Sequence, residues 1–168
     1  MGVLTSTGTV FSVAVGEPLV LDGAGFLALD YTEVAEVTDI PEYGPSAQVV
    51  EHNPLKTGVT QKYKGFINYG QTALQLGRDI LDAGQAILAA AVDGATKNTE
   101  HSFRIDYQDG TSDFFTGKVF SSTTNPSSAN SIVGRTAVVE INSPIVRVTG
   151  NETIEVIWLS VTANGGEE

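Results

Sequence analysis

The chain has 168 residues, 41 % hydrophobic and 17 % charged, a balance that argues against intrinsic disorder and for one packed domain over residues 1–168. Asp and Glu number 20 against 9 Lys and Arg, a net charge of -11, which argues against a protein that holds nucleic acid by neutralising phosphates. Cysteine is absent, so disulfides and thiolate metal centres are excluded and folding rests on packing.

The N-terminal stretch has no basic region, and Gly16, Glu17 and Pro18 break its apolar run, so no signal peptide is expected. Nor is there a run of ~20 apolar residues to span a membrane. Residues 9–15 (TVFSVAV) and 19–22 (LVLD) are short strand-prone runs. Residues 31–39 (YTEVAEVTD) follow an imperfect two-residue alternation, with neither face purely apolar. Residues 40–60 hold Pro41, Gly44, Pro45, Pro54 and Gly58 around one strand-like run, Ala47 to Glu51. A long loop is expected there, of the kind that touches a partner.

Aromatic and β-branched residues predict a strand up to Tyr69, a break at Gly70 and another strand over Thr72–Leu76. Asp82 followed by Gln85 has the spacing of a capping box and starts a helix of about residues 83–93. Its apolar side would carry Ala83, Ile87, Ala90 and Ala91, with Gly94 as C-cap. A hairpin follows, with Phe103, Ile105 and Tyr107 alternating before Asp109-Gly110, whose two turn positions are expected to take positive φ. Residues 121–131 form a polar loop, residues 132–142 and 145–162 supply two or three further strands, and a frayed acidic tail ends the chain. The fold class is mainly β: an antiparallel β-sandwich or barrel with one flanking α-helix.

Catalysis has little support. His52 and His101 lie far apart without a carboxylate at metal-ligand spacing, and each reads as a surface or hydrogen-bonded structural histidine. No nucleophile-elbow, phosphate-loop or dinucleotide signature is present, and no cofactor or metal is implied. Asp106, Asp109 and Asp113 have the chemistry of a hard-cation site or a glycosidase pair. Asp109, however, has a sufficient role in the turn. Asp106 and Asp113 are expected to lie close together across the hairpin, with Arg104 and Lys118 available to compensate them, so structural charge pairing is the favoured reading.

The stretch FRIDYQDGTSDFFTGKVFSS (residues 103–122) resembles a pattern of the major tail tube proteins of lambda-like long-tailed bacteriophages. Its signature positions are Arg104, Asp109, Gly110, Thr111, Asp113 and Gly117. The resemblance extends to Arg135 and to Ile145-Val146-Arg147-Val148, and upstream to VTDIPEYG (37–44), YKGFINYGQ and DILDAGQAIL, so it covers residues 31–148 in pieces. It implies a tail-tube-like virion subunit, made in the bacterial host cytoplasm, that forms hexameric rings stacked into a hollow tube. The subunit would be a structural protein and not an enzyme. Its partners would be further copies of itself, tail tip or initiator and terminator proteins, and a tape measure protein in the lumen. DNA would pass without sticking, repelled by an acidic lining, and no membrane is involved. The extra C-terminal immunoglobulin-like domain of some relatives is not expected.

Glu33, Glu36 and Asp39 are first candidates for lumen-facing acids, with Glu51 and Asp113 second. Glu33 and Glu36 differ in strand parity, so a bulge is needed for both to face inward, and a solvated outer surface suits each acid equally well. Pro41, Tyr43, Pro45, Pro54 and Leu55 are candidates for ring-to-ring contact, together with the N-terminal segment and the C-terminal tail. The rival reading is a carbohydrate- or receptor-binding β-sandwich module using Trp158, Tyr43, Tyr63 and Tyr69. A third is a glycoside hydrolase using two of the clustered Asp residues.

Overall fold

The computed structural model describes residues 2–150. Ten strands and two helices follow in the order β1 (Val10–Val15), α1 (Gly23–Leu27), β2 (Thr32–Glu33), β3 (Val37–Asp39), β4 (Ser46–His52), β5 (Gln61–Asn68), β6 (Gln71–Gly77), α2 (Ala83–Asp93), β7 (His101–Asp106), β8 (Ser112–Asn125), β9 (Gly134–Ile141) and β10 (Val146–Val148). The expected mainly β architecture is present. Eight strands form one antiparallel sheet in the order β2-β1-β7-β8-β9-β6-β3, with β10 also on β8, while β4 and β5 form a separate two-stranded ribbon.

The 14-residue β8 organises the sheet. Its first half pairs with β7 and β10, its second half with β9, so two half-sheets meet along one strand and curl into a half-barrel. The segment Thr32–Asp39 lies on both outer edges, with β2 on β1 and β3 on β6. What reads as one strand over 31–39 is therefore two, separated where Glu36 takes a φ of 60°. Val34 N–H donates to the Phe11 carbonyl on one side (2.9 Å) and Gly77 N–H to the Glu36 carbonyl on the other (2.8 Å).

The concave face holds Phe11, Phe103, Ile105, Phe115, Leu74, Val139 and their neighbours, covered by α2. Helix α2 starts as predicted, with the Asp82 carboxylate accepting from Gln85 N–H at 2.9 Å. The reciprocal half of the box is absent: the Gln85 side chain instead accepts from Asp79 N–H and donates to the Ala35 and Gly77 carbonyls. The buried side is also rotated from the expected one and consists of Gly84, Gln85, Leu88 and Ala91, with Ala83 exposed and Ile87 half-buried. Gly84 sits there because a Cβ would meet the Glu33 carbonyl oxygen at 2.3 Å. Gly94 ends the helix with φ -91°, in extended and not left-handed backbone.

A smaller cluster on the other face of β8 joins Phe114 to Phe26 and Val148. Phe26 stacks on Phe114 with centroids 5.5 Å apart. It comes from α1, which follows residues 19–22, where a second strand is expected and bends are found. Asp22 instead caps a helix by accepting from Gly25 N–H at 2.7 Å, a local alternative that Asp offers the backbone readily.

Candidate functional site

Residues 40–60 contain the strand expected at Ala47–Glu51, which makes them half of a ribbon and not one continuous loop. They carry β4, whose antiparallel partner is β5, and the connection at residues 53–60 forms the tip of the ribbon. Every residue of β4 is exposed, and in β5 only Gly65 is half-covered. Val49, Val50, Tyr63 and Ile67 are exposed along the ribbon, Phe66 is 85 % exposed, and Leu55 and Val59 project at the tip. The face bearing Val49 also carries the loose Glu51–Lys62 pair at 4.0 Å, so Glu51 sits on the ribbon and not on the main sheet. Single exposed apolar residues are ordinary, but a two-stranded ribbon bearing a row of them has no core of its own.

At the root of the ribbon a groove of about 640 Å³ runs between the Pro41–Pro45 linker and the Pro144–Arg147 segment. Its floor is a polar cluster. Asp113 on β8 is 0 % exposed. Arg147, opposite it on β10, donates to both carboxylate oxygens at 2.7 and 2.9 Å. The Tyr43 hydroxyl lies 2.7 Å and the Tyr107 hydroxyl 3.3 Å from the same carboxylate, and the phenols are also in hydrogen-bond reach of each other, so two phenol protons are shared among three contacts. Burial alone would raise the Asp113 pKa, but the donors and the guanidinium charge outweigh it and hold the carboxyl below the ordinary range. Burial and hydrogen bonding to Asp113 push Tyr43 upward, and burial does the same for Tyr107. The Arg147 side chain remains 65 % exposed, so a charged lip borders an otherwise aromatic and proline-rich groove.

Structural charge pairing holds for the Asp cluster, but the expected closeness of Asp106 and Asp113 does not. Ile105 pairs with Asp113 and Asp106 with Ser112, so the two carboxylates point to opposite faces and share no site. Asp106 accepts from Arg104 at 2.7 Å and from Ser112. Lys118 lies 4.0 Å from Glu100 instead. Asp109 caps its own turn by accepting from the Thr111 N–H and hydroxyl, which lowers its pKa. The turn spans Tyr107–Thr111, and within it only Gly110, at φ 86°, is left-handed; Asp109 is not. Gly117 lies deep in the sheet, where a Cβ would stand 2.2 Å from the Glu140 carbonyl oxygen.

Of the acids expected to face a lumen, Glu33, Glu36, Asp39 and Glu51 are exposed, whereas Asp113 is buried within the chain. Asp39 pairs with Gln75 and so shares the open, convex face of β6, β9 and the second half of β8. That face presents Gln71, Gln75, Thr136, Val138, Ser121 and Thr123, with Glu140 opposite Lys118. His52 is exposed on the ribbon. His101 is buried, its Nδ1–H donates to the Thr99 carbonyl at 2.9 Å, and burial lowers its pKa. Among the described residues no group of three or more potential ligands gathers as a metal site. Tyr43 and Tyr69 line the groove and Tyr63 lies on the ribbon, while Trp158, the strand expected beyond Gly150 and the acidic tail lie outside the described residues. Arg147 and Tyr107 were not legible as partners of Asp113, because nothing in their spacing links residues 34 and 6 positions away.

No protein-family model and no curated protein matches the chain. Among solved structures it is similar to a chain of the six-fold symmetrised anti-feeding prophage baseplate, with TM-score 0.61 and 7 % identity over 89 % of this chain and 97 % of that one. A chain from the sheath/tube terminator of PVC, an extracellular contractile injection system, gives 0.59 at 11 % identity, covering 89 % and 99 %. A chain from the tube-terminating cap of the anti-feeding prophage gives 0.57 at 14 % identity, covering 89 % and 93 %. The fold is tail-tube-like. At these identities the likeness establishes the fold, and the narrower attribution to lambda-like tails finds no support in it.

Proposed function

We propose that the chain is a structural subunit of a tail-tube-type assembly, in which copies join into six-membered rings that stack into a hollow tube. The observation that carries this reading is the β4–β5 ribbon, whose apolar side chains nothing among the described residues covers. Isolated two-stranded hairpins are marginal in water, and a second copy is the surface always present to cover one. The tail-tube-like fold and the six-fold symmetry of the anti-feeding prophage baseplate support the ring geometry.

In such a tube the open face of β6, β9 and β8 lines the bore. Its Gln, Ser and Thr side chains offer no cluster of cations to phosphate, and Asp39 and Glu140 outnumber Lys118 on it. DNA, a polyanion, would slide along such a lining. Initiator, terminator and tape measure proteins are the partners this role requires, with the assembled tail of the particle as its location. The subunit would act by geometry and charge and not as an enzyme.

Negative-stain microscopy of the purified protein at high concentration tests the proposal. Hollow filaments or stacked rings are expected. Dispersed monomers under every assembly condition would overturn it and favour a carbohydrate- or receptor-binding module that uses the exposed Tyr63 and the groove tyrosines.

A further inference from the structure

Taking the chain as a self-assembling subunit, we infer that the ribbon tip of one copy, centred on Leu55, seats in the groove at the ribbon root of the next copy. The chain carries both a knob and a hole. The tip projects Pro54, Leu55 and Val59 from a turn in which Gly58, at φ 62°, donates to the Pro54 carbonyl at 3.1 Å. Leu55 is wholly exposed and Val59 largely so. The groove offers apolar walls from Pro41, Tyr43, Tyr69, Pro144 and Ile145 over the closed Asp113 cluster. Because Asp113 is already satisfied by Arg147 and both tyrosines, the groove is ready for an apolar side chain without leaving a buried charge unpaired.

Charge points to the same pairing. Lys56 stands beside Leu55 at the tip, and in the groove the Arg147 cation is neutralised by its pair with Asp113, which leaves the exposed Glu42 on the wall as the charge that meets Lys56. The contact cannot form within one chain. β4 has seven residues, and at ~3.3 Å per residue the tip lies about 20 Å from the root where the groove opens. A knob and a hole at separate places on one surface make a head-to-tail contact, which propagates from copy to copy instead of closing a pair. The five residues expected to make ring-to-ring contact then divide between two partners, Pro41, Tyr43 and Pro45 lining the groove and Pro54 and Leu55 forming the knob.

The absence of native cysteine makes the test direct. Leu55→Cys protein is mixed with tagged Pro45→Cys protein under assembly conditions, mildly oxidised, and the tagged heterodimer is read on a non-reducing gel. Pro45 is exposed in the groove, and Ile145→Cys serves as a second position on the opposite wall. Ser128→Cys, on an exposed loop outside the groove, is the control partner. The expected result is a heterodimer as the main product with Pro45→Cys or Ile145→Cys and only background with Ser128→Cys, because a disulfide needs Cα atoms within about 7 Å. A Leu55→Cys/Pro45→Cys double variant should give a ladder of covalent oligomers. Tubes visible by microscopy with cross-linking no greater than the control would overturn this seating and leave the tube reading standing. Failure of the unmodified protein to assemble at all would overturn both.

Discussion

Arg147 and Asp113 face each other across the β10–β8 ladder, and the guanidinium grips both oxygens of a carboxylate that has no contact with solvent. Together with Tyr43, which belongs to the linker leading into the ribbon, the pair fastens the root of the ribbon to the main sheet. Removing the cation strands the buried charge. Arg147→Met should lower stability by about 2–3 kcal/mol, less than for a wholly buried pair because Arg147 is largely exposed, and Asp113→Asn should rescue part of that loss in the double variant. Urea unfolding of the four proteins checks both statements.

The acid dependence follows from two shifts. Asp113 has a lowered folded pKa, so its contribution is present above the unfolded value of about 3.9 and disappears as pH falls through the folded one. His101 also has a lowered folded pKa, because burial favours the neutral ring. The unfolded chain therefore takes up that proton first, and stability declines as pH drops below about 6.5. Urea midpoints measured against pH should fall in two stages. Asp113→Asn should flatten the lower stage, and His101→Gln should flatten the upper one.

Gly117→Ala should destabilise by about 2–3 kcal/mol, since its Cβ would stand 2.2 Å from a backbone oxygen of the neighbouring strand. Gly134→Ala in β9 is the matched control, because its nearest neighbours lie at 4.0 Å. Thermal melts that shift equally for both substitutions would contradict the stated cause.

Gln85→Leu keeps the size of the side chain but unpairs Asp79 N–H and the Ala35 and Gly77 carbonyls, so a loss of about 2–4 kcal/mol is expected. The loss should appear in thermal unfolding, and hydrogen exchange should quicken first where α2 meets the β2–β3 segment.

Phe66→Asp should behave in the opposite sense. Its side chain touches little in the subunit, so the monomer's melting temperature should change little while assembly is lost. Circular dichroism read alongside microscopy separates the two effects.

The strands and α2 were legible where a local rule set them, through strand-prone residues in β1, alternation in β7 and the Asp82 cap in α2. The pairing of Asp106 with Arg104 was legible, but the closeness of Asp106 to Asp113 failed because of register. A two-residue Asp109-Gly110 turn would pair Asp106 with Asp113, whereas the five-residue connection pairs Asp106 with Ser112. That single-residue slip sends the two acids to opposite faces. The groove was legible only in halves: the prolines and Tyr43 marked one wall, but Tyr107 and Arg147 join them through strand pairing, which no spacing in the sequence encodes. The exposure of the ribbon also escaped the sequence, since Val49, Val50, Phe66 and Ile67 are the residue types of a buried strand.

The segment Thr32–Asp39 has a mechanical consequence. Being shared by the two rims of the curled sheet, it acts as a single staple, and peeling either rim loosens the other. The rims should therefore melt in one event, sparing the subunit a half-open form with a bare strand for other chains to pair with. The ribbon, a separate sheet outside that staple, can change its surroundings without opening the half-barrel.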